Sequence, residues 1–279
     1  MQPTINKYLV EKHFSLNAHR YDEVTPIQCD MAKRLIHMIR NHSLNYPVKS
    51  ILELGCGTGR LTRLLLQQFP DCKIVAIDIS REMIKQASIS LPTEANVELI
   101  AGDAEALAHD KTIRSRKYDL VVSNATTQWF TNPLATVKQY HATLSENGAM
   151  AFSTFGPDTF IELRQAFRRA EQNLGISRMN HILSFVTPDD WRTLIDGFPN
   201  RRFLVKENHH IEAFTTVRKF LYTIKKAGAT NPFPQVSSFM SPTLYRRMVH
   251  EYEKYQSSLG HGKINATFHI VYGLSYPGF

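Results

Sequence analysis

Apolar residues follow two rhythms along this chain, and the change from one to the other divides it. From Ile5 to Ile39 they recur at helical spacing, and Leu35, Ile36, Met38 and Ile39 close the stripe before the Asn, Ser and Pro cluster of 41–47. Short apolar runs then alternate with helical patterns. The runs predict strands over 50–54, 73–77, 97–101, 120–123 and 149–153, with helices over 60–69 and 82–90. Strands separated by helices imply βαβ units and a parallel sheet, so the fold class is α/β, doubly wound.

Beyond Phe155 the rhythm changes. A long charged helix is predicted over 158–173, followed by a loop and a second helix opening at Thr187, Pro188 and Asp189. Thr187 is a suitable N-cap, with Asp190 three residues on. A strand over 203–214 leads to a basic helix over 216–227, a Gly/Pro/Ser-rich stretch over 228–242, and another helix to about 255. A β-like run over 266–276 closes the chain. Residues 215–262 therefore read as an insertion between two final strands. Its helices look too charged for a core, and a lid is the natural reading. The division expected is an N-terminal helical segment over the site (1–46), a core (47–214), the helical lid (215–262) and a last core strand (263–279).

Composition narrows the classes. The 279 residues suffice for one large elaborated domain, and 43% hydrophobic with 21% charged residues is ordinary globular usage. No run reaches the roughly 20 apolar residues of a membrane span, and charged residues interrupt the N-terminus, which points to a cytoplasmic protein with no membrane partner. Cys29, Cys56 and Cys72 have neither disulfide nor zinc-ligand spacing, so reduced thiols and no metal are expected. His13, His19, His209 and His210 lie near no motif and read as surface or packing residues. A net charge of +8 favours an acidic partner without choosing among nucleic acid, membrane and protein.

Four segments carry candidate chemistry, each where a predicted strand ends. The first, Glu53 to Arg60, reads ELGCGTGR. Gly55, Gly57 and Gly59 permit a tight turn and close approach of a ligand to Glu53, Gly55, Cys56 and Gly57, at the strand ends where open α/β sheets bind ligands. The spacing GxGxG differs from the GxGxxG dinucleotide fingerprint, which argues against an NAD-dependent oxidoreductase. The second is Asp78, whose carboxylate could accept both hydroxyls of an adenosine ribose, although a turn or capping role is open to it and Ser80 could cap instead. The third is Gly102, Asp103 and Ala104. Asp103 could accept the exocyclic amine of adenine, with Ile79 and Met83 against the ring. The fourth is SNATTQWF, 123–130, where Asn124, Gln128 and Trp129 are candidates to wall and orient an acceptor.

Together these four segments resemble motifs I to IV of class I methyltransferases. That resemblance implies a Rossmann-like, mostly parallel seven-stranded sheet and S-adenosylmethionine as cofactor, leaving S-adenosylhomocysteine. A narrower resemblance spans nearly the whole chain. The stretches 13–35, 123–129, 153–163 and 211–231 are similar to the malonyl-acyl-carrier-protein O-methyltransferases of biotin synthesis, with the last two on the substrate side. His19 stands where small residues are common in that family, and Thr127 where bulkier ones occur.

The narrower resemblance implies methylation of the free carboxylate of a malonyl thioester carried on the phosphopantetheine of acyl carrier protein. A carboxylate is already anionic at neutral pH, so no general base is required and residues should position rather than exchange protons. Tyr21 matches the family's N-terminal tyrosine and is expected, with Asn124 and Trp129, at the reacting groups. Neutral donors suit the step better than a strong salt bridge, which would stabilise the ground state most. The basic helix with Arg218, Lys219, Lys225 and Lys226 fits an acidic carrier protein or, equally, a solvated face. The rival readings are an RNA methyltransferase, a small-carboxylate or quinone-precursor methyltransferase, and a cofactor-binding protein without catalysis. Nucleic acid is disfavoured because the basic residues are not interleaved with aromatic ones.

Overall fold

A computed structural model describes residues 5–42, 47–198, 200–228, 241–258 and 262–278. Seven strands form one sheet: β1 Ser50–Leu54, β2 Lys73–Asp78, β3 Val97–Ala101, β4 Tyr118–Asn124, β5 Leu144–Phe155, β6 Arg201–Phe214 and β7 Ile264–Pro277. Their order is β3-β2-β1-β4-β5-β7-β6. Strands β1 to β5 pair in parallel, whereas β7 runs antiparallel to both β5 and β6. The strand order reverses between β1 and β4, and a crevice for a ligand forms outside the carboxyl ends of strands at such a point.

Period-two alternation decides which face each strand residue serves. Ile51, Ile74, Ala76, Leu120 and Val122 enter one core with α3 Pro26–His42, α4 Arg60–Gln68 and α9 Ile161–Leu174, through residues such as Leu35, Leu65 and Phe167. Leu52, Leu54, Val75, Ile77 and Val121 enter a second core with α8 Pro133–His141 and α10 Pro188–Asp196, through Val137, Tyr140 and Trp191. A sheet buried on both faces explains why β1, β2 and β4 read as continuous apolar runs.

At the N-terminus α1 Lys7–Asn17 and the single turn α2 Tyr21–Val24 precede α3. The remaining helices are α5 Arg81–Ser90, α6 Ala104–Leu107, α7 Lys111–Ser115, α11 Val217–Lys226 and α12 Pro242–Ser258. The α10 start is as expected: Thr187 Oγ1 accepts from the Asp190 amide at 3.0 Å, and Asp190 Oδ2 accepts from the Thr187 amide at 3.3 Å. Helices α6, α7 and α8 escape the periodicity reading. The first two are single turns, and α8 buries only Thr136, Val137 and Tyr140.

The helices of 215–262 require a correction. They are charged on one face only, and Val217 and Phe220 of α11 with Leu244, Met248 and Tyr252 of α12 belong to the same core as Leu35 and Phe167. Amphipathic helices carry their charge opposite the buried stripe, so a high charge count does not keep them out of a core. Most of the Gly/Pro/Ser-rich stretch, 229–240, lies outside the described residues. No helix among the described residues is long and apolar enough to cross a membrane.

Strand β7 joins the parallel sheet through a close contact. Gly273 pairs with Phe152 of β5, and a Cβ at 273 would lie 2.4 Å from the ring's Cζ. The ring cannot retreat, because it is 1% exposed and Trp191 stands 4.5 Å behind it. Gly273→Ala is therefore expected to destabilise the protein by about 1–3 kcal/mol through overpacking. A Phe152→Leu background should lessen that loss in a thermal-denaturation double-mutant cycle, and strict additivity would contradict the packing account.

Candidate active site

The glycine turn after β1 is built on the end of β2. The amides of Gly55 and Cys56 both donate to the Ile77 carbonyl, at 2.8 and 2.9 Å. Gly55 has φ +76°, and a Cβ there would lie 2.0 Å from Thr126 Oγ1. The protein's own fourth motif, rather than a ligand, thus excludes a side chain at 55. Gly57 differs, because it has φ +57° and a Cβ there would meet nothing within 4 Å. Its open side faces the cleft.

Asp78 fixes this turn. Its Oδ2 accepts from the Gly57 amide at 2.8 Å and its Oδ1 from the Ser80 amide at 2.8 Å. Ser80 caps α5, its Oγ accepting from the Met83 amide at 3.2 Å, so the carboxylate is not consumed as a helix cap. Each Asp78 oxygen keeps a further acceptor position. Burial pushes the Asp78 carboxyl up to about 6, against the pull of the two amide donors.

The third wall of the cleft begins where the Gly102 amide donates to the Asp78 carbonyl at 2.8 Å. Asp103 caps α6, with Oδ1 accepting from the Glu105 amide at 3.0 Å. The same Oδ1 meets Lys7 Nζ at 3.1 Å, which leaves Oδ2 for another donor. Lys7 also pairs with Glu105 at 2.8 Å and stands 5.3 Å from the centre of the Phe130 ring. Burial works against ionising Glu105, yet bonds from Lys7 and from the Thr131 and Asn132 amides hold its carboxyl below the usual range.

Helices α1 and α2 close over the cleft through polar contacts. Asp22 accepts from Thr58 Oγ1 at 2.6 Å and pairs with Arg60 at 2.9 Å, while Arg60 also donates to the Thr25 carbonyl at 2.8 Å. Ser15 Oγ lies 2.8 Å from Ser80 Oγ. Phe14 stands edge-on to both Tyr21 and Trp129, with centroids 6.1 and 5.4 Å away. Burial raises the Tyr21 hydroxyl well above its ordinary value, so it is a neutral hydrogen-bond donor at physiological pH. Lys7 carries no motif and Phe14 has no assigned role within the stretch 13–35, and closure of the N-terminal segment brings both into the cleft lining beside Tyr21.

The acceptor wall follows β4. Asn124 Nδ2 donates to the Gln28 carbonyl at 3.1 Å, and its Oδ1 accepts from Ser153 Oγ at 2.6 Å. Trp129 is 8% exposed and packs with Val10 and Leu183. Trp129 and Gln28 line the cleft on one side and an apolar cavity of about 530 Å³ on the other. That second cavity runs past Phe155, Phe160, Leu163 and Phe214 to Ile224 and Lys225.

Of the sequence-predicted residues, Tyr21, Gly55, Cys56, Gly57, Asp78, Ile79, Met83, Asp103, Ala104, Asn124 and Trp129 line the cleft. Gln128 does not. Its Nε2 donates to the Ala125 carbonyl at 2.6 Å, its Oε1 accepts from Thr154 at 3.0 Å, and it lines the apolar cavity instead. Lys225 lines that cavity, whereas Arg218, Lys219 and Lys226 line neither space. Lys219 and Lys226 flank the exposed Tyr222 ring at 5.9 and 5.5 Å.

A methyltransferase-domain family profile matches residues 27–198. The malonyl-[acyl-carrier protein] O-methyltransferase of Halalkalibacterium halodurans is 38% identical over 274 residues, covering 97% of this chain and 98% of that protein. The chain belongs to this methyltransferase family. The proteins of the same name from Priestia megaterium and Bacillus anthracis are each 36% identical, with 96% of both chains covered. Among solved structures, a plantazolicin methyltransferase in complex with SAH has a TM-score of 0.53 at 13% identity, covering 98% of this chain and 95% of that one. The YcgJ protein of Bacillus subtilis has a TM-score of 0.58 at 11% identity over 88% of this chain and 99% of that one. These two share its fold.

In this methyltransferase Glu53 departs from the cofactor-contacting place expected for it. It occupies the β1 position that faces α4, beneath the glycine turn, and its Oε2 accepts from Thr62 Oγ1 at 2.7 Å. The residue is 0% exposed, and Oε1 has no partner among the described residues. Burial pushes the carboxyl up to about 7, opposed by Thr62 and reinforced by nearby Asp78. A folded pKa above the unfolded one means that folding takes up a proton. The contribution to stability is complete below about pH 4.5 and is lost as pH rises through about 7. Glu53→Gln should therefore raise the melting temperature of the ligand-free enzyme at pH 8, by about 2–4 °C per kcal/mol relieved, and the gain should vanish near pH 5. Calorimetry across that range checks it, and a gain independent of pH would contradict the raised pKa.

Proposed function

We propose that this enzyme transfers the methyl group of S-adenosylmethionine to the free carboxylate of a malonyl thioester on acyl carrier protein, in the cytoplasm. The observation that carries this reading is the pair of spaces sharing Trp129 and Gln28, a cleft of mixed polar and apolar lining that holds Asp78 and Asp103, and a predominantly apolar chamber. The relatives' names supply the acceptor. Each of those two relatives is named for the malonyl carrier, which favours it over RNA, a quinone precursor or loss of catalysis.

The cleft has the donors and acceptors that the cofactor requires. Asp78 keeps two acceptor positions for a ribose diol, Asp103 Oδ2 can take the adenine amine, and Ile79 and Met83 offer apolar contact. The open side of Gly57 admits the ligand close to the backbone. S-adenosylmethionine, when bound, supplies an electrophilic methyl on a sulfonium sulfur.

The chain's own residues then have two tasks. They must hold the acceptor carboxylate in line and keep water out, since an anionic nucleophile needs no base. Lys7 and Arg60 are cations of the cleft lining, and both are committed to carboxylates of the protein, Lys7 to Asp103 and Glu105 and Arg60 to Asp22. The acceptor carboxylate is thereby spared a strong salt bridge that would hold it in the ground state. Tyr21, Asn124 and Trp129 provide neutral dipoles and an aromatic wall for positioning. Phosphopantetheine would reach this point through the apolar chamber, with Lys225 in its lining and the charged face of α11 as docking face for the acidic carrier.

Incubation with S-adenosylmethionine and malonyl-acyl carrier protein, followed by mass spectrometry, should show gain of one methyl on the carrier, with free malonate and RNA unmodified. Asp78→Ala should abolish transfer and cofactor binding together. Joint charge reversal, Lys225→Glu with Lys226→Glu, should raise KM for the carrier about tenfold at low salt with little change in kcat. Cofactor binding without transfer to the malonyl carrier would overturn the proposed acceptor.

A further inference from the structure

A second cluster of functional side chains lies outside both spaces, where the loop after β5 meets the antiparallel pair β6 and β7. His209 of β6 and His269 of β7 are directly paired in register, with rings stacked 4.3 Å apart at 19°. Asp158 faces both. Its Oδ2 is 3.0 Å from His209 Nε2 and 3.7 Å from His269 Nδ1, and one donor atom from each of the three residues lies within 4.8 Å of the others. In a tetrahedral site with bonds of about 2.0–2.1 Å, donor atoms stand roughly 3.3 Å apart, so two of the three edges already bracket that value.

The outer contacts of His269 match those of a metal ligand. Its Nε2 lies 3.2 Å from Glu207 Oε2, and Glu207 is in turn held by Arg192 at 2.9 Å. A ligating imidazole characteristically donates its other N–H to a carboxylate, which turns the free lone pair toward the ion. Here that lone pair is on Nδ1, toward Asp158, where an ion would replace a 3.3 Å bond from the Asp158 amide and the direct contact between His209 and the Asp158 carboxylate. The ring is also fixed in place. A Cβ on Gly156 would come within 2.7 Å of it, and the His269 backbone is bonded on both sides to Thr159. His209 is the adjustable member, with its side chain 47% exposed, so rotation of its ring can close the third edge.

We propose that Asp158, His209 and His269 form a binding site for a divalent cation of the zinc type, with Glu207 orienting His269 from behind. Two imidazoles and one carboxylate select a borderline transition ion, whereas calcium and magnesium require a shell of oxygen ligands. Three protein ligands leave a position for water. The ion would tie the turn that carries Thr159 and Phe160, both in the wall of the apolar chamber, to the edge strand β6.

Titration of the untagged enzyme with zinc chloride by calorimetry tests this. One site of micromolar affinity is expected, weakened at least tenfold in His209→Ala and Asp158→Asn and about tenfold in Glu207→Gln. His210→Ala, one residue along the same strand, should bind as wild type does. Zinc should raise the melting temperature of the wild type but not that of His209→Ala, each compared with its own zinc-free value. Absence of saturable binding in this range, or equal binding by His209→Ala, would overturn the proposal.

Discussion

The candidate active site depends on one buried carboxylate. Asp78 lies where β2 ends, and it spends one oxygen on the amide of the glycine turn after β1 and the other on the amide that opens α5. Its own carbonyl takes the Gly102 amide after β3. Three strand ends are thus held in mutual register by one residue. A buried carboxylate is costly unless bonded, and burial raises its pKa. Each Asp78 oxygen keeps one acceptor position beyond these bonds, and that residual polarity is what the proposed ribose contact would use.

The parallel half of the fold was legible because a sheet covered on both faces writes itself as apolar runs, and because each chemical motif sits at a strand end. The motif residues that line the cleft were legible for the same reason. Legibility failed where a role arises from tertiary encounter. Glu53 reads as part of the glycine motif, yet the period-two geometry of β1 turns it toward Thr62. Lys7 and Phe14 look like ordinary residues of an N-terminal helix, and their partners Asp103 and Trp129 lie far along the chain. Asp158, His209 and His269 have no ligand-like spacing, and only the β6–β7 register places the two histidines together. The charge of α11 and α12 misled for a simpler reason, since a count of charges carries no information about which face bears them.

The distribution of cations follows the chemistry proposed for each region. Those lining the cleft are neutralised by carboxylates of the protein, as Lys7 and Arg60 show, whereas on α11 Arg218 and Lys219 are exposed and Lys225 lines the apolar chamber. A methyl transfer to a carboxylate loses charge on the nucleophile as the bond forms, so a fixed cation at the reacting oxygen would favour the reactant. A cation at a docking surface acts only on encounter and costs the chemical step nothing. A net charge of +8 is therefore compatible with an acceptor site that presents neutral groups.

The same division of forces distinguishes the two parts of the N-terminal segment. Helix α3 is fastened by apolar burial through Ile27, Met31, Ala32, Leu35, Met38 and Ile39. Before Pro26 the apolar share is smaller: α2 buries no residue and α1 buries Val10, which packs with Trp129 and Leu183, while Asp22, Lys7 and Ser15 add polar attachments. Partly exposed ion pairs of this kind contribute about 0–1 kcal/mol each, against roughly 1.5–3 kcal/mol for each large apolar side chain buried. The wall carrying Phe14 and Tyr21 is consequently held by less apolar burial than α3 is, with the change at Thr25 and Pro26. A site that must exclude water during transfer and then release its products is served by a wall of that kind, in which ion pairs and hydrogen bonds supplement a small apolar contact.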